Sequence, residues 1–597
     1  FILKSSTEAG SGHPTSSLSS VELMTALFFG GFLKYDIEDP KNPNNDRIIF
    51  SKGHATPLFY SLWKVAGAIT EEELLTYRKF DSVLEGHPSI DFPHTVFPTG
   101  SLGQGLSVGL GIALNNKYLD KNQARAFVLM GDSEMSEGSV WEAIQLASYY
   151  KLNNLVGIID VNRLGQSGET MLGHSVAEYS RRISSFGWET IMIDGHSFRE
   201  IINAYSLAES IIDKPTMIIA KTLKGKGVSS LEDKEGWHGK ALKQEDFEKA
   251  VAELGVFDKD LKGKIREPQE FTSSLKEESD KPKFTNYVKE IEISTRQAYG
   301  NALKNLYPSF PNMVVLDGEV KNSTFAETFE KEYPERFFEM YIAEQNMAGV
   351  AGGLSQTDKI PFASTFSAFW SRAHDQIRMA GIASANIKFV GSHSGVSIGE
   401  DGPSQMGLED ISLFRSIWES TVLYPCDAIS TEKLVVEAAK HKGLVYLRTT
   451  RKETPVIYDL DEDFPIGGSK VLKKSKEDLL TVVTAGITVF EAIGAYQKLL
   501  GDGIFIRVID VYSIKPIDRD VLLETGKSTK GIIVVEDHYS EGGLADAVRE
   551  AVSSDGIKVW SLAVNKKPKS GKPDELLNYE EINADAIVKK VKRILSV

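Results

Sequence analysis

At 597 residues, with 41% hydrophobic and 25% charged residues, the chain has the composition of folded globular protein and length for about three to four domains, which excludes a disordered or fibrous polypeptide. Its 68 basic against 83 acidic residues leave a net charge of −15, so nucleic acid and anionic membrane are poor partners, and no uncharged apolar run reaches the ~18 residues of a membrane span. The single cysteine, Cys426, can close no intramolecular disulfide and build no cysteine-based zinc cage, which fits a reducing, cytoplasmic compartment.

Strand-length apolar runs alternate with helical patterns from the start. Arg47–Phe50, Ala126–Met130 ahead of Gly131-Asp132, Leu155–Val161, Thr190–Asp194 and Thr216–Thr222 predict a parallel sheet with crossover helices, a first domain over residues 1–260. From about Asp258 to Phe284 the chain turns to Lys, Glu, Asp, Ser and Pro, the composition of a solvated connector. A second series over 285–455 holds Val314–Leu316 ahead of Asp317, Ile387–Val390 ahead of Gly391-Ser392-His393, Thr421–Tyr424, and Leu444–Leu447 ahead of Arg448. After a polar passage at Lys452–Asp478, a third over 470–597 holds Leu480–Val483, Phe505–Val511, Ile532–Val535 and Val559–Val564. The expected fold class is α/β, with three consecutive α/β domains on mostly parallel sheets. Ligands of open α/β sheets gather at the carboxyl ends of strands, so the polar groups just after these runs are where chemistry is expected.

Gly131-Asp132-Ser133-Glu134 and, thirty positions beyond Asp132, Asn162-Arg163-Leu164 deliver a carboxylate and an amide oxygen from two strand ends. These hard donors suit Mg²⁺ or Ca²⁺, which in turn can hold a diphosphate; taken alone, a helix cap and a turn are the commoner roles. Their neighbours weigh against the commoner roles. Gly131-Asp132 through Asn162 resembles the thiamine diphosphate signature, and the surrounding pieces resemble the transketolase family. Those pieces include Ser11-Gly12-His13-Pro14, Ser51-Lys52-Gly53-His54-Ala55, Gly86-His87-Pro88, Thr99-Gly100-Ser101-Leu102-Gly103-Gln104-Gly105, Lys221 to Gly227 and Trp237-His238-Gly239-Lys240. Glu344-Gln345-Asn346, Phe366 with Phe369, Gly391-Ser392-His393, Gly399 to Gln405 and Arg448-Thr449-Thr450-Arg451 continue the resemblance across the whole chain.

The resemblance implies diphosphate-binding, pyrimidine-binding and C-terminal domains in that order. It implies a homodimer with thiamine diphosphate between the first domain of one subunit and the second of its partner. The implied reaction moves a two-carbon ketol unit from a ketose phosphate such as xylulose 5-phosphate to an aldose phosphate such as ribose 5-phosphate. It runs through a dihydroxyethyl-thiamine diphosphate intermediate, in the non-oxidative pentose phosphate pathway. Such a cleavage leaves an acyl carbanion that no ordinary side chain stabilises, and a thiazolium supplies the electron sink.

Carried over position by position, Asp132, Asn162 and the Leu164 carbonyl ligate one divalent cation. His54, Gly100, Leu102, Ser133 and Lys224 lie along the cofactor, with Lys224 placed to close over it. Glu344 hydrogen-bonds the aminopyrimidine, which calls for burial and a raised pKa, and Phe366 and Phe369 line that ring. His13, His54, His87 and His238 converge on the thiazolium face, with His13, His87 and His238 as catalytic groups. Arg296, Ser323, His393 and Arg451 match phosphate contacts, Asp401 a substrate-hydroxyl contact, and Gln405 a substrate position. The remaining histidines, His94, His174, His196, His374, His441 and His538, are expected to be structural, and no spacing among the eleven suits zinc.

Two positions depart from the commonest pattern. Ser133 stands where the family usually has Gly and would resist a positive φ, while Gln405 marks the mammalian-type branch. A pyruvate-decarboxylating relative is disfavoured by Trp237-His238-Gly239 and Asn322-Ser323-Thr324. A nicotinamide dehydrogenase would lean on Gly103-Gln104-Gly105, but the third glycine, Gly109, comes one place too late for the fingerprint. A non-catalytic paralogue would be expected to lack Glu344, Asp132 or a site histidine, and all are present.

Overall fold

Strands buried on both faces build the first sheet: β1 (Arg47–Phe50), β2 (Ala126–Gly131) and β3 (Leu155–Val161) are buried at every position. Unbroken rather than alternating apolar runs are what a parallel sheet covered by helices requires. With β4 (Glu189–Asp194) and β5 (Thr216–Lys221) they form a wholly parallel sheet in the order β1-β2-β3-β5-β4. β4, at one edge, is exposed at Met192 and Asp194, and β5 is exposed only at its last residue, Lys221. The helix Thr56–Ala66 packs Phe59, Tyr60 and Trp63 into the core beneath, and Gly67 ends it at φ +92°, a left-handed cap that costs a glycine little.

The computed structural model describes residues 1–258, 260–271, 281–289 and 291–596. Much of the connector expected near 258–284, residues 259 and 272–280, therefore lies outside the described residues. The chain divides into two units, Phe1–Leu275 with Gly349–Asp358, and Lys276–Ala348 with Lys359–Val597.

In the second unit β6 (Glu292–Ser294) precedes a larger sheet of β7 (Met313–Asp317), β8 (Phe337–Glu339), β9 (Ile360–Phe366), β10 (Lys388–Ser392), β11 (Thr421–Leu423) and β12 (Val445–Arg448). β13 (Glu453–Pro455) pairs with β6 as an antiparallel ribbon. The third series supplies β14 (Lys470–Lys473), β15 (Leu480–Thr484), β16 (Ile506–Asp510), β17 (Ser513–Lys515), β18 (Ile532–Tyr539) and β19 (Val559–Val564). Its own sheet runs β14-β16-β15-β18-β19, parallel except for β14. β17, however, leaves it and joins the preceding sheet, antiparallel to β11, in the order β17-β11-β12-β10-β9-β7-β8. The second and third series are thus stitched by a shared strand, which three residues of Ser-Ile-Lys do not announce.

Arg448, expected from its place after a strand to face the chemistry, instead bonds these two sheets. Its guanidinium is fully buried and donates to Asp410 and to Asp537, each at 2.8 Å, while Tyr446 and Tyr424 donate to the same two carboxylates. A buried cation is tolerated because it is paired with two buried carboxylates that also accept tyrosine hydroxyls, although Asp410 Oδ1 accepts no hydrogen bond among the described residues. Among the described residues no helix is long and apolar enough to cross a membrane.

Candidate active site

The carboxyl ends of β1, β2, β3 and β5 open onto a cavity of about 410 Å³ in the first unit. Each strand end delivers part of its wall: Lys52 and His54 after β1, Asp132 and Ser133 after β2, Asn162 and Leu164 after β3, and Lys224 after β5. His13, His87, His238, Gly100 and Leu102 complete it from loops.

Under the cavity sits Asp160, within β3 and fully buried. It pairs with Lys52 and accepts from Thr222 Oγ1, from Ser19 Oγ at 2.6 Å and from Asn162 Nδ2 at 2.9 Å. Burial opposes its ionisation, yet the Lys52 charge and these donors hold its pKa at about 2. The contact fixes Asn162, because its amide nitrogen is committed to Asp160 and its oxygen accepts the Leu164 N–H at 3.2 Å.

Asp132 is 5% exposed and accepts Ser133 N–H at 2.9 Å and Arg163 N–H at 2.7 Å. Burial, and then the neighbouring charge of Asp160, push its pKa up to about 6. A carboxylate so placed is stabilised by a cation, and with the Asn162 amide and the Leu164 carbonyl it offers the hard oxygen donors that Mg²⁺ or Ca²⁺ takes. These residues fit such an ion. The Leu164 carbonyl also accepts Lys224 Nζ at 2.7 Å, and Lys224 reaches His238 Nδ1 at 2.8 Å. Lys224 is therefore part of the buried wall rather than a lid over it; burial and then the Lys52 charge lower its pKa to about 8.

Four imidazoles stand over these oxygens. Ring centroids lie 5.1 Å apart for His13 and His54, 5.1 Å for His13 and His238, 5.0 Å for His54 and His238, and 6.3 Å for His13 and His87. Burial depresses all four, helped by His238 at His13, by Lys52 at His54, by Arg78 at His87 and by Lys224 at His238; His13 falls to about 3 and His238 to about 4, with His54 and His87 also lowered. The cluster is neutral at neutral pH, able to accept protons. His13 Nδ1 is buried with no hydrogen-bond partner among the described residues. Ser133 sits at φ −62°, ψ −39°, in the ordinary right-handed region, so the expected cost of replacing Gly does not arise.

In the second unit Glu344 opens a helix, α1 (Glu344–Ser355), and is 3% exposed. Its Oε2 lies 3.1 Å from Arg372 Nε, but the N–H is not aligned on it, leaving a buried carboxylate oxygen without a hydrogen bond among the described residues. An acceptor left open in this way suits an N–H of a bound heterocycle. Phe366, which ends β9, stacks on Phe369 at 5.0 Å and on His393 at 3.8 Å. His393 follows β10 at φ +58°, its Nδ1 2.8 Å from Ser392 Oγ, and burial with the charges of Arg296 and Arg451 lowers its pKa to about 3. Arg296 donates to the Ser323 carbonyl at 2.8 Å; Arg451 donates to Asp401 at 2.8 Å and to the Ile398 carbonyl at 3.1 Å. Gln405 contacts its neighbour Ser404 at 3.4 Å. Sequence motifs contain Lys52 and Asp160 without showing their pairing, although an aspartate inside the apolar run of a central strand demands a partner.

Residues 3–306 match the model of the transketolase thiamine diphosphate binding domain. That match, with α/β sheets whose strand ends carry the donors above, defines the class: a thiamine diphosphate-dependent enzyme. Residues 291–456 match the transketolase pyrimidine binding domain and 469–587 the transketolase C-terminal domain. Transketolase of Homo sapiens is 48% identical over 599 residues, covering 100% of the chain and 96% of that protein. Transketolase of Mus musculus is 49% identical over 600 residues, with the same coverage, and human transketolase-like protein 2 is 45% identical over 601 residues, covering 99% and 95%. The crystal structure of transketolase from Campylobacter jejuni shares the fold at a TM-score of 0.87 and 23% identity, covering 100% of this chain and 98% of that one. The chain belongs to the transketolase family, and it is a transferase with transketolase function.

Proposed function

We propose that the chain transfers a two-carbon ketol unit from a ketose phosphate such as xylulose 5-phosphate to an aldose phosphate such as ribose 5-phosphate. It would act with thiamine diphosphate and one Mg²⁺ or Ca²⁺, in the non-oxidative pentose phosphate pathway of the cytoplasm. The observation that carries this reading is the set of four neutral imidazoles above the Asp132 and Asn162 oxygens.

In this reading Asp132, Asn162 and the Leu164 carbonyl hold the cation; the carbonyl has a second lone pair beside the one given to Lys224. His54, Gly100, Leu102, Ser133 and Lys224 line the diphosphate and thiazolium side, and Phe366 and Phe369 the pyrimidine side. When bound, thiamine diphosphate supplies the electron sink for the acyl carbanion. Glu344 keeps its open oxygen for an N–H of the aminopyrimidine. His13 and His238, neutral at working pH, take the proton of a substrate hydroxyl, and His87 and His54 orient hydroxyls. Arg296, Ser323, His393 and Arg451 receive the phosphate, with Asp401 and Gln405 beside them; a phosphate competes with Asp401 for the Arg451 fork. The family resemblance supports a homodimer in which the first unit of one subunit and the second unit of its partner share each site.

A coupled assay of aldose phosphate release from xylulose 5-phosphate and ribose 5-phosphate, with and without thiamine diphosphate and Mg²⁺, tests the proposal. Cofactor-dependent release is expected. Turnover confined to a pyruvate control would move the chain to decarboxylating chemistry and sink the reading.

A further inference from the structure

Glu134 has no part in the site described above, yet its carboxylate lines the same cavity while being only 3% exposed. Oε1 accepts the Ser51 hydroxyl and the Gly103 N–H, the latter at 2.9 Å, and Oε2 accepts the Gly131 N–H at 3.1 Å. Ser51 Oγ accepts in turn the Gly105 N–H at 3.0 Å. Gly103 can aim its N–H inward because it sits at φ +75°, where a Cβ would lie 2.8 Å from the Glu137 Cβ. One side chain thus joins the end of β1, which leads to His54, the loop carrying Gly100 and Leu102, and the end of β2, which leads to Asp132 and Ser133.

We propose that Glu134 is a positioning residue for the cofactor, a strut that sets the spacing of the three segments meant to contact thiamine diphosphate. The inference rests on the functional reading above and deepens it. A carboxylate is needed because all its partners are donors. Glutamine keeps the size, but its amide can serve Ser51 and Gly103 only by turning an N–H on the Gly131 N–H, so one wall segment is released.

The test titrates thiamine diphosphate with Mg²⁺ into the full-length wild type, Glu134→Gln and Ser51→Ala by calorimetry, and records the melting temperature of each without cofactor. Glu134→Gln is expected to raise the Kd by about 10- to 100-fold, the loss of one charge-assisted hydrogen bond and a buried donor–donor mismatch. Ser51→Ala, which removes one donor only, is expected to raise it by about 3- to 10-fold and keeps the test decisive should Glu134→Gln fold poorly. A lowered melting temperature with wild-type Kd would mean packing alone and would overturn the inference while leaving the functional reading intact. Absence of binding by the wild type would overturn both.

Discussion

In the first unit four imidazoles stand together with their charge suppressed, whereas at the anion-binding positions proposed in the second, one imidazole, His393, feels the charges of Arg296 and Arg451. The first arrangement is held from below: Asp160 and Lys52 are buried, and strand ends fix each polar group by backbone bonds. The second is looser, since Arg451 is 37% exposed and its partner Asp401 44%. The contrast separates two tasks. On the proposed roles, the proton-moving groups are buried and uncharged, which tunes them, while the arginines proposed to capture an anion, Arg296 and Arg451, keep their charge.

Removing Glu344 should break the division most severely. Glu344→Ala is expected to lower kcat by about 10³-fold or more while the melting temperature falls only slightly, because Oε2 makes no hydrogen bond among the described residues and its ion-pair partner Arg372 is 60% exposed. Turnover near wild type in that variant would contradict its role. Asp132→Ala should come next, raising the Kd of thiamine diphosphate with Mg²⁺ by about 10- to 100-fold in a calorimetric titration; unchanged affinity would remove Asp132 from the cation. Arg451→Ala sharpens the other side, raising KM for phosphorylated donors by about tenfold and leaving that for unphosphorylated ones alone. Equal effects on both substrates would take Arg451 out of the clamp.

The smallest effect concerns pH. His13 and His238 titrate near 3 and 4 when folded but near the ordinary 6.5 when unfolded, so the unfolded chain takes up protons that the folded one refuses. Their contribution to stability is complete above pH 6.5 and is lost as pH falls from there through about 4 for His238 and about 3 for His13. Histidine-selective NMR of the cofactor-free protein should show neither ring titrating between pH 7.5 and 5, and a midpoint near 6.5 would show that burial does not suppress their charge.

The strand-end places of Asp132 and Asn162 were legible because β2 is an unbroken apolar run and β3 an apolar run interrupted only by Asp160, each followed by a polar residue. β9 gives no such pattern: Pro361 and the pair Ser364-Thr365 interrupt it, although it lies inside its sheet and ends at Phe366. β17 is hidden for a different reason, since its partner β11 lies far upstream. Arg448 looked like a strand-end functional group because nothing local reveals Asp410 and Asp537. The grip of Glu134 likewise depends on Ser51 and Gly103, which are distant from it in sequence.

The most direct test of the division of labour is to co-express Glu344→Ala and Asp132→Ala chains and assay the purified mixture for xylulose 5-phosphate cleavage at a thiamine diphosphate concentration that saturates the wild type but leaves Asp132→Ala alone unloaded. If each site takes Asp132 from one subunit and Glu344 from the other, hybrid dimers hold one intact site, and random pairing should recover about a quarter of wild-type activity. A mixture as inactive as either variant alone would contradict the shared site.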